Sequence, residues 1–133
     1  GISKTMEGFG QRDEAAIATL GAAVKFQEEI GRPAIEKRSR ELAQRMVAGL
    51  RAINGVTFYS STDSSRMAAI FVIKPGNLDP RKLEATLYEK ERIVVATTGR
   101  PGIRLSPHIY NSLDECDRVV TAIRKHVTNG LPA

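Results

Sequence analysis

A single arginine in a predicted strand is the residue of this chain best suited to bind a ligand. Arg104 stands between Ile103 and Leu105, in an apolar stretch that ends at Pro107. Because side chains alternate along a strand, Arg104 is predicted to lie opposite its two neighbours, on the same face as Ser106. A planar guanidinium donates two parallel hydrogen bonds to a carboxylate and so fixes its orientation. The alternative is an arginine that keeps an edge strand solvated, an interpretation that residue type alone favours.

Other side chains that could do chemistry form no recognisable catalytic or metal-binding pattern. The two histidines, His108 and His126, are too few for a metal centre in the absence of suitably spaced carboxylates. Cys116 is predicted on the buried face of a helix, where a thiol is inert. The segment "GFGQRD" has two glycines but lacks the preceding strand and the lysine of a phosphate-binding loop. We therefore expect no metal ligand and no catalytic residue in this chain.

Composition indicates one globular domain. The chain has 133 residues, of which 41% are hydrophobic and 26% charged, values typical of folded domains. No apolar run approaches the roughly 20 residues that a membrane helix needs, and the first residues lack the pattern of an export signal. The single cysteine excludes an internal disulfide and fits a reducing compartment. We expect a cytoplasmic protein with no membrane partner.

The net charge of +5 raises the question of a nucleic-acid partner. The densest basic segment, "EKRSRELAQR", interleaves glutamates with arginines, which is typical of a solvated helix face with spaced ion pairs. Single-strand binding would also require aromatic side chains that stack on bases, and the few aromatics in predicted strands form no RNA-binding signature. Nucleic acid is therefore the disfavoured partner.

The predicted elements follow the order α-α-β-β-α-β-β-α, which indicates an α+β fold with a mainly antiparallel sheet packed on helices. Asp13 and Gly31 are predicted to begin and end the first helix, and Ser112 with Glu115 forms a capping box at the start of the last. The predicted helices are 14–30, 33–53, 81–92 and a closing helix after Ser112. The predicted strands are 56–60, 66–74, 93–97 and 103–106.

Two of these segments have apolar patterns that indicate surfaces covered by other parts of a protein. The strand at 66–74 is apolar throughout Met67–Ile73, which predicts a central strand covered on both faces. The first helix is rich in alanine and carries Ile17, Leu20 and Val24 on one stripe. Two long helices and one sheet leave some of these apolar faces uncovered in a single small domain. We therefore expect a partner domain or a second subunit to cover them.

The stretch "RLSPHIYNSLDECD" resembles the late motif of the class V aminotransferase and cysteine desulfurase family, fold-type-I enzymes that use pyridoxal 5'-phosphate. The motif combines an Arg-x-Ser strand, a Tyr-Asn turn and an acidic helix start, here Arg104, Ser106, Tyr110, Asn111, Glu115 and Asp117. The segments "EGFGQRDEAAIATLGAAVKFQEEIG" and "RSRELAQRMVAGLRAINGVTFYS" are also similar to the family, so the likeness runs from Glu7 to Val127. It looks most like the isopenicillin-N-epimerase-like and cysteine-lyase branches, because Arg12-Asp13 follows the glycine turn.

The resemblance implies that residues 13–133, after an extended lead-in at 1–12, form the small C-terminal domain of an enzyme that acts on an amino acid. Arg104 would bind the α-carboxylate of this substrate. Gly10 and Gln11 would contact the cofactor phosphate, although the family usually has Gly-Thr there. The Schiff-base lysine would belong to an N-terminal large domain that this chain lacks. The chain alone would then be inactive, and the complete enzyme would be a homodimer.

The resemblance leaves the reaction open. Transamination, desulfuration or β-lyase chemistry, and epimerisation all use the same carboxylate-binding arginine. The alternative to an enzyme domain is a free-standing α+β module that binds a small molecule or a partner protein without catalysis.

Overall fold

The structure is a computed structural model that describes residues 13–99 and 101–132. The lead-in predicted at 1–12 lies outside these residues. The chain divides into two compact units, Gly1–Ile35 and Glu36–Ala133. Within the described ranges, no helix is long and apolar enough to cross a lipid bilayer.

The first helix, α1, is Glu14–Ile30, as predicted. Asp13 begins it, because its carboxylate accepts a hydrogen bond of 3.0 Å from the Ala16 amide and so satisfies a free donor of the first turn. Gly31 ends it with a φ of +89°, in the left-handed region that favours glycine. The Gly31 amide donates to the Gln27 carbonyl at 3.0 Å. Both predicted boundaries are therefore confirmed.

None of the 17 residues of α1, all of which are described, is buried. Its exposed apolar side chains have exposed fractions between 37% and 66%, and they are Ile17, Leu20, Val24, Phe26 and Ile30. Such a stripe normally packs against another part of a protein. Its coverage by a partner domain or a second subunit stays a prediction.

The second helix, α2, is Arg32–Arg51. Pro33 lies in its first turn, where the missing amide costs no helical hydrogen bond. The helix ends before the predicted Ile53, because the Ile53 amide bonds to the Leu50 carbonyl at 3.1 Å in a tighter turn. Gly55, with a φ of +88°, then turns the chain into the sheet.

Four antiparallel strands form the sheet, in the order β1-β2-β4-β3. Their bounds are β1 Val56–Phe58, β2 Phe71–Pro75, β3 Ala96–Thr97 and β4 Ile103–Leu105. Strand β2 pairs with both β1 and β4, so it is an inner strand, as predicted. The antiparallel α+β fold and the order of the elements are confirmed.

Two further helices complete the unit: α3 is Pro80–Glu91 and α4 is Leu113–Asn129. Asp79 begins α3 by accepting a hydrogen bond of 2.9 Å from the Lys82 amide. Arg92 ends α3 in the left-handed conformation, with a φ of 54°. This non-glycine residue in a left-handed cap turns the chain toward β3.

The core of the second unit lies between one face of the sheet and helices α2, α3 and α4. Its fully buried large side chains are Leu42, Leu50, Phe71, Ile73, Leu83, Leu87, Ile103 and Ile123. In β2 and β4 these residues alternate with half-buried or exposed side chains. The core therefore covers one face of the sheet and leaves the other face open among the described residues.

All four observed strands are shorter than predicted, and the difference is largest for the strand predicted at 66–74. Residues 66–70 form no strand, and β2 alternates between buried and half-buried residues, so it is not covered on both faces by the described chain. The Arg40 guanidinium donates to the carbonyls of Ser64 and Met67, and only the second of these belongs to the predicted strand. Strand β3 is also shorter than the predicted 93–97. A continuous apolar run does not distinguish a strand from a buried loop.

Candidate functional site

Arg104 lies at the centre of β4, on the face of the sheet opposite the core. Val72 of β2 and Ala96 of β3 flank it in register from the two sides. Ile103 and Leu105 are 0% and 3% exposed, whereas Arg104 is exposed. The alternation predicted from the sequence is therefore observed, and the backbone of an inner strand holds the base of this side chain.

Exposed apolar side chains lie in the segments that lead into β2 and β3. Ile70, next to the buried Phe71, is 60% exposed, and Val94, between two buried residues, is 80% exposed. Val94 lines the same cavity as Arg104. Since β4 pairs with a strand on each side, Arg104 is not on an edge strand, and the interpretation as a solubilising edge residue is disfavoured.

Gly102 allows β4 to approach β2 closely just before Arg104. A Cβ atom at position 102 would lie 2.8 Å from the Ile73 carbonyl oxygen. It would also lie 3.0 Å from the Tyr59 ring and 3.1 Å from Val72. The site therefore depends on a residue without a side chain at this position.

Arg104 lines a cavity of about 420 Å³ beside the sheet. Ser106 and Tyr110 from the following turn lie in its wall, as do Arg92 after α3 and Arg118 on α4. Cavities of 300–1,000 Å³ with a few convergent polar groups are typical of small-molecule sites. The three arginines give this cavity a strongly cationic wall.

Hydrogen bonds fix the turn between β4 and α4. The Ser112 hydroxyl accepts from the Glu115 amide at 3.1 Å, and the Glu115 carboxylate accepts from the Ser112 amide at 2.8 Å. This capping box confirms the prediction. The Ser112 amide and the Asn111 side chain lower the pKa of Glu115 by donating to its ionised form. The Asn111 side chain also accepts from the His108 amide at 2.9 Å, so His108 takes part in the turn through its backbone.

Helix α2 holds this turn and helix α4 from the other side. The Arg45 guanidinium donates two hydrogen bonds of 2.8 Å to the Asp117 carboxylate. This bidentate pair raises the pKa of Arg45 and lowers that of Asp117. Arg38 donates to the Asn111 carbonyl at 2.9 Å. Asp117 of the resembled motif therefore has a structural role.

Cys116 is buried on α4, as predicted. Burial raises the pKa of its thiol, so the reactive thiolate is disfavoured at neutral pH. Cys116 is therefore a packing residue.

The structure brings some predicted residues together and adds others. Arg104 and Ser106 line one cavity, whereas Gly10 and Gln11, predicted at the cofactor phosphate, lie outside the described residues. The sequence analysis missed Arg92 and Arg118. In the sequence, Arg92 is recognisable only as the last residue of a predicted helix, and this position does not indicate a binding site.

The described residues of this cavity suit an anionic ligand better than a pyridoxal cofactor. Its wall contains no lysine that could carry the cofactor and no aspartate that could pair with a pyridine nitrogen. It does contain unpaired guanidinium groups, which suit carboxylates. The described wall of this cavity therefore suits an anionic ligand.

Comparisons with known proteins agree with the sequence motif. The chain is 30% identical over 128 residues to isopenicillin N epimerase of Amycolatopsis lactamdurans, covering 92% of this chain and 32% of that protein. It is 28% identical over 126 residues to a probable hercynylcysteine sulfoxide lyase of Mycobacterium tuberculosis, covering 87% and 31%. The chain thus spans about a third of the length of these relatives.

A solved structure shares the fold. The apo cysteine desulfurase of Thermococcus onnurineus superposes with a TM-score of 0.82 at 24% identity, over 90% of this chain and 32% of that one. The sequence model of the family described as aminotransferase class-V matches residues 9–119. Since this match covers most of the chain, from before α1 into α4, the chain belongs to the class V aminotransferase family.

Proposed function

We propose that this chain supplies the substrate-carboxylate arginine of a pyridoxal-phosphate-dependent class V enzyme that acts on an amino acid. One observation carries the proposal: Arg104, on an inner strand, lines a cavity, and among the described residues no acidic side chain pairs with its guanidinium group. A family arginine at this place in the motif has the role of binding the α-carboxylate.

The role of the chain in this proposal is to bind and orient. The Arg104 guanidinium would donate two parallel hydrogen bonds to the α-carboxylate and thereby fix the other substituents of the Cα atom. A β4 strand paired on both sides supports this, because a rigid backbone limits the positions that the guanidinium reaches. The cofactor, when bound to the complete enzyme, supplies an electron sink for the bond that breaks.

The lysine that carries the cofactor is proposed to lie in a large domain outside this chain, and Gly10 and Gln11 of this chain are proposed to contact the cofactor phosphate. The share of each relative that the chain spans, 32% and 31%, supports this division. The proposal includes a homodimer in the cytoplasm, and inactivity of the chain on its own. Epimerisation, β-lyase or desulfuration chemistry and transamination remain equal candidates, since the same arginine serves all of them.

The test is steady-state kinetics of the complete enzyme with Arg104→Gln. We expect KM for the amino acid to rise and kcat/KM to fall about 10²-fold, as the loss of a charged hydrogen-bonded pair predicts. Arg104→Lys should recover part of the loss, because it keeps the charge and loses the planar fork.

Arg124→Gln is the matched control. Arg124 is an exposed arginine of α4 outside the cavity wall, so its removal changes net charge equally and should leave kcat/KM within about twofold. Equal kinetics for Arg104→Gln and Arg124→Gln would refute the proposed carboxylate-binding role.

A further inference from the structure

The cavity beside Arg104 has more positive charge than one carboxylate requires. Arg92, Arg104 and Arg118 all line it. Among the described residues, none of their three guanidinium groups has an ion pair or a hydrogen bond to a side chain. They come from three different elements: the end of α3, the centre of β4 and the first part of α4.

The one acidic residue in the wall is already engaged. The Glu115 carboxylate accepts hydrogen bonds from the Ser112 amide at 2.8 Å and the Asn111 side chain at 3.3 Å. Arg118 lowers the pKa of Glu115 by charge, but the two form no ion pair. The wall contains three arginines and one glutamate, so its net charge is +2.

Several arginines on α2 do have side-chain partners. Arg40 pairs with Glu36, and Arg45 pairs with Asp117, each at 2.8 Å. Arg51 donates to the Thr62 hydroxyl. Among the described residues Arg124 also lacks a side-chain partner, so an unpaired arginine by itself does not indicate a site. The three unpaired arginines of the cavity differ because they all line one concave surface, and this arrangement indicates a ligand with more than one anionic group.

We propose that the cavity selects an amino acid with a second acidic group, held by Arg92 and Arg118 while Arg104 holds the α-carboxylate. This inference rests on the proposed role of Arg104 and adds the class of substrate. The volume of about 420 Å³ accommodates a five- or six-carbon dicarboxylic chain. The apolar side chains of Val94 and Val119 in the wall would contact its methylene groups.

The test is an NMR titration of the 133-residue chain with two probes of similar chain length, glutarate and butyrate. Glutarate carries two carboxylates and butyrate carries one, so their comparison isolates the second anionic group. We expect glutarate to bind at least about tenfold more tightly, which corresponds to about 1.4 kcal/mol. The preference should weaken as salt rises, because exposed charges are screened.

Single substitutions test which arginines cause the preference for glutarate over butyrate. Arg92→Gln and Arg118→Gln should each lower glutarate affinity about fivefold or more and leave the affinity for butyrate unchanged. Arg104→Gln should weaken both probes. Arg124→Gln, which removes the same charge outside the cavity, should change neither.

The outcomes separate this inference from the proposed function. If Arg92→Gln and Arg118→Gln leave glutarate affinity unchanged while Arg104→Gln lowers it, the second subsite is refuted and the carboxylate-binding role of Arg104 stands. If glutarate binds no better than butyrate to the unaltered chain, the inference also fails. Insensitivity of both probes to Arg104→Gln would contradict the proposed function itself.

Discussion

The close approach of β4 to β2 at Gly102 leads to a sharp prediction about stability. In Gly102→Ala, the new Cβ would lie 2.8 Å from the Ile73 carbonyl oxygen. This is about 0.5 Å inside the ~3.3 Å at which carbon and oxygen normally meet in sheets. The obstacle is backbone, so a change of side-chain rotamer cannot relieve it. Ile73 pairs with Ile103 in the ladder, so any shift also strains the register.

The expected cost follows from overpacking. Extra methyl groups in a tightly packed region destabilise by about 1–3 kcal/mol. For a chain of this size, about 4 °C of melting temperature corresponds to each kcal/mol, so we expect a loss of about 4–12 °C. Thermal unfolding followed by circular dichroism measures this directly.

Gly99→Ala is the matched control. A Cβ at Gly99 would meet no atom within 4 Å, and Gly99 also precedes β4. It should change the free energy of unfolding by less than about 0.5 kcal/mol. Equal melting temperatures for Gly102→Ala and Gly99→Ala would refute the close approach of β4 to β2 at Gly102.

Two further predictions concern the helix that flanks the site. Ser112→Ala should lower the free energy of unfolding, measured by urea titration, by about 1 kcal/mol, because it removes the N-cap acceptor of α4. Thr128→Ala, on the same helix, should leave this free energy unchanged. Equal effects of the two variants would contradict the capping role of Ser112. Asp117→Asn should destabilise at neutral pH, since the pKa of Asp117 lies below its ordinary value in the folded chain through hydrogen bonds from Arg45. The stabilisation is present above the unfolded pKa of about 4 and is lost as pH falls through the folded pKa. The free energies of unfolding of Asp117→Asn and of the unaltered chain should therefore become equal in acid. A difference between them that persists in acid would refute the stabilising role of the ionised Asp117 carboxylate.

Helix boundaries were the most predictable part of the fold. Asp13, Gly31 and Ser112 act through hydrogen bonds or dihedral angles within a few residues, so the signal and its effect are both local. Strand lengths were less predictable. Residues 67–70 are apolar, but they form no strand, and the Met67 carbonyl accepts a hydrogen bond from Arg40, which is far away in sequence.

The burial of His126 in the core was also not predictable from the sequence. It is 3% exposed on the inner face of α4, and its Nε2 atom lies 3.6 Å from the Glu91 carboxylate. Helical spacing allowed this position, but the residue type did not predict burial. Only the approach of α3 to α4 places a carboxylate beside it.

The sequence by itself determined the family motif, the order of the elements and the face on which Arg104 lies. Each of these depends on residue type and on the two-residue period of a strand, which are properties of a local segment. Tertiary structure alone decided that Arg92 and Arg118 join Arg104 around one cavity. They belong to separate elements, and their distance depends on how α3, β4 and α4 pack on a shared core. No local pattern of residues specifies that packing.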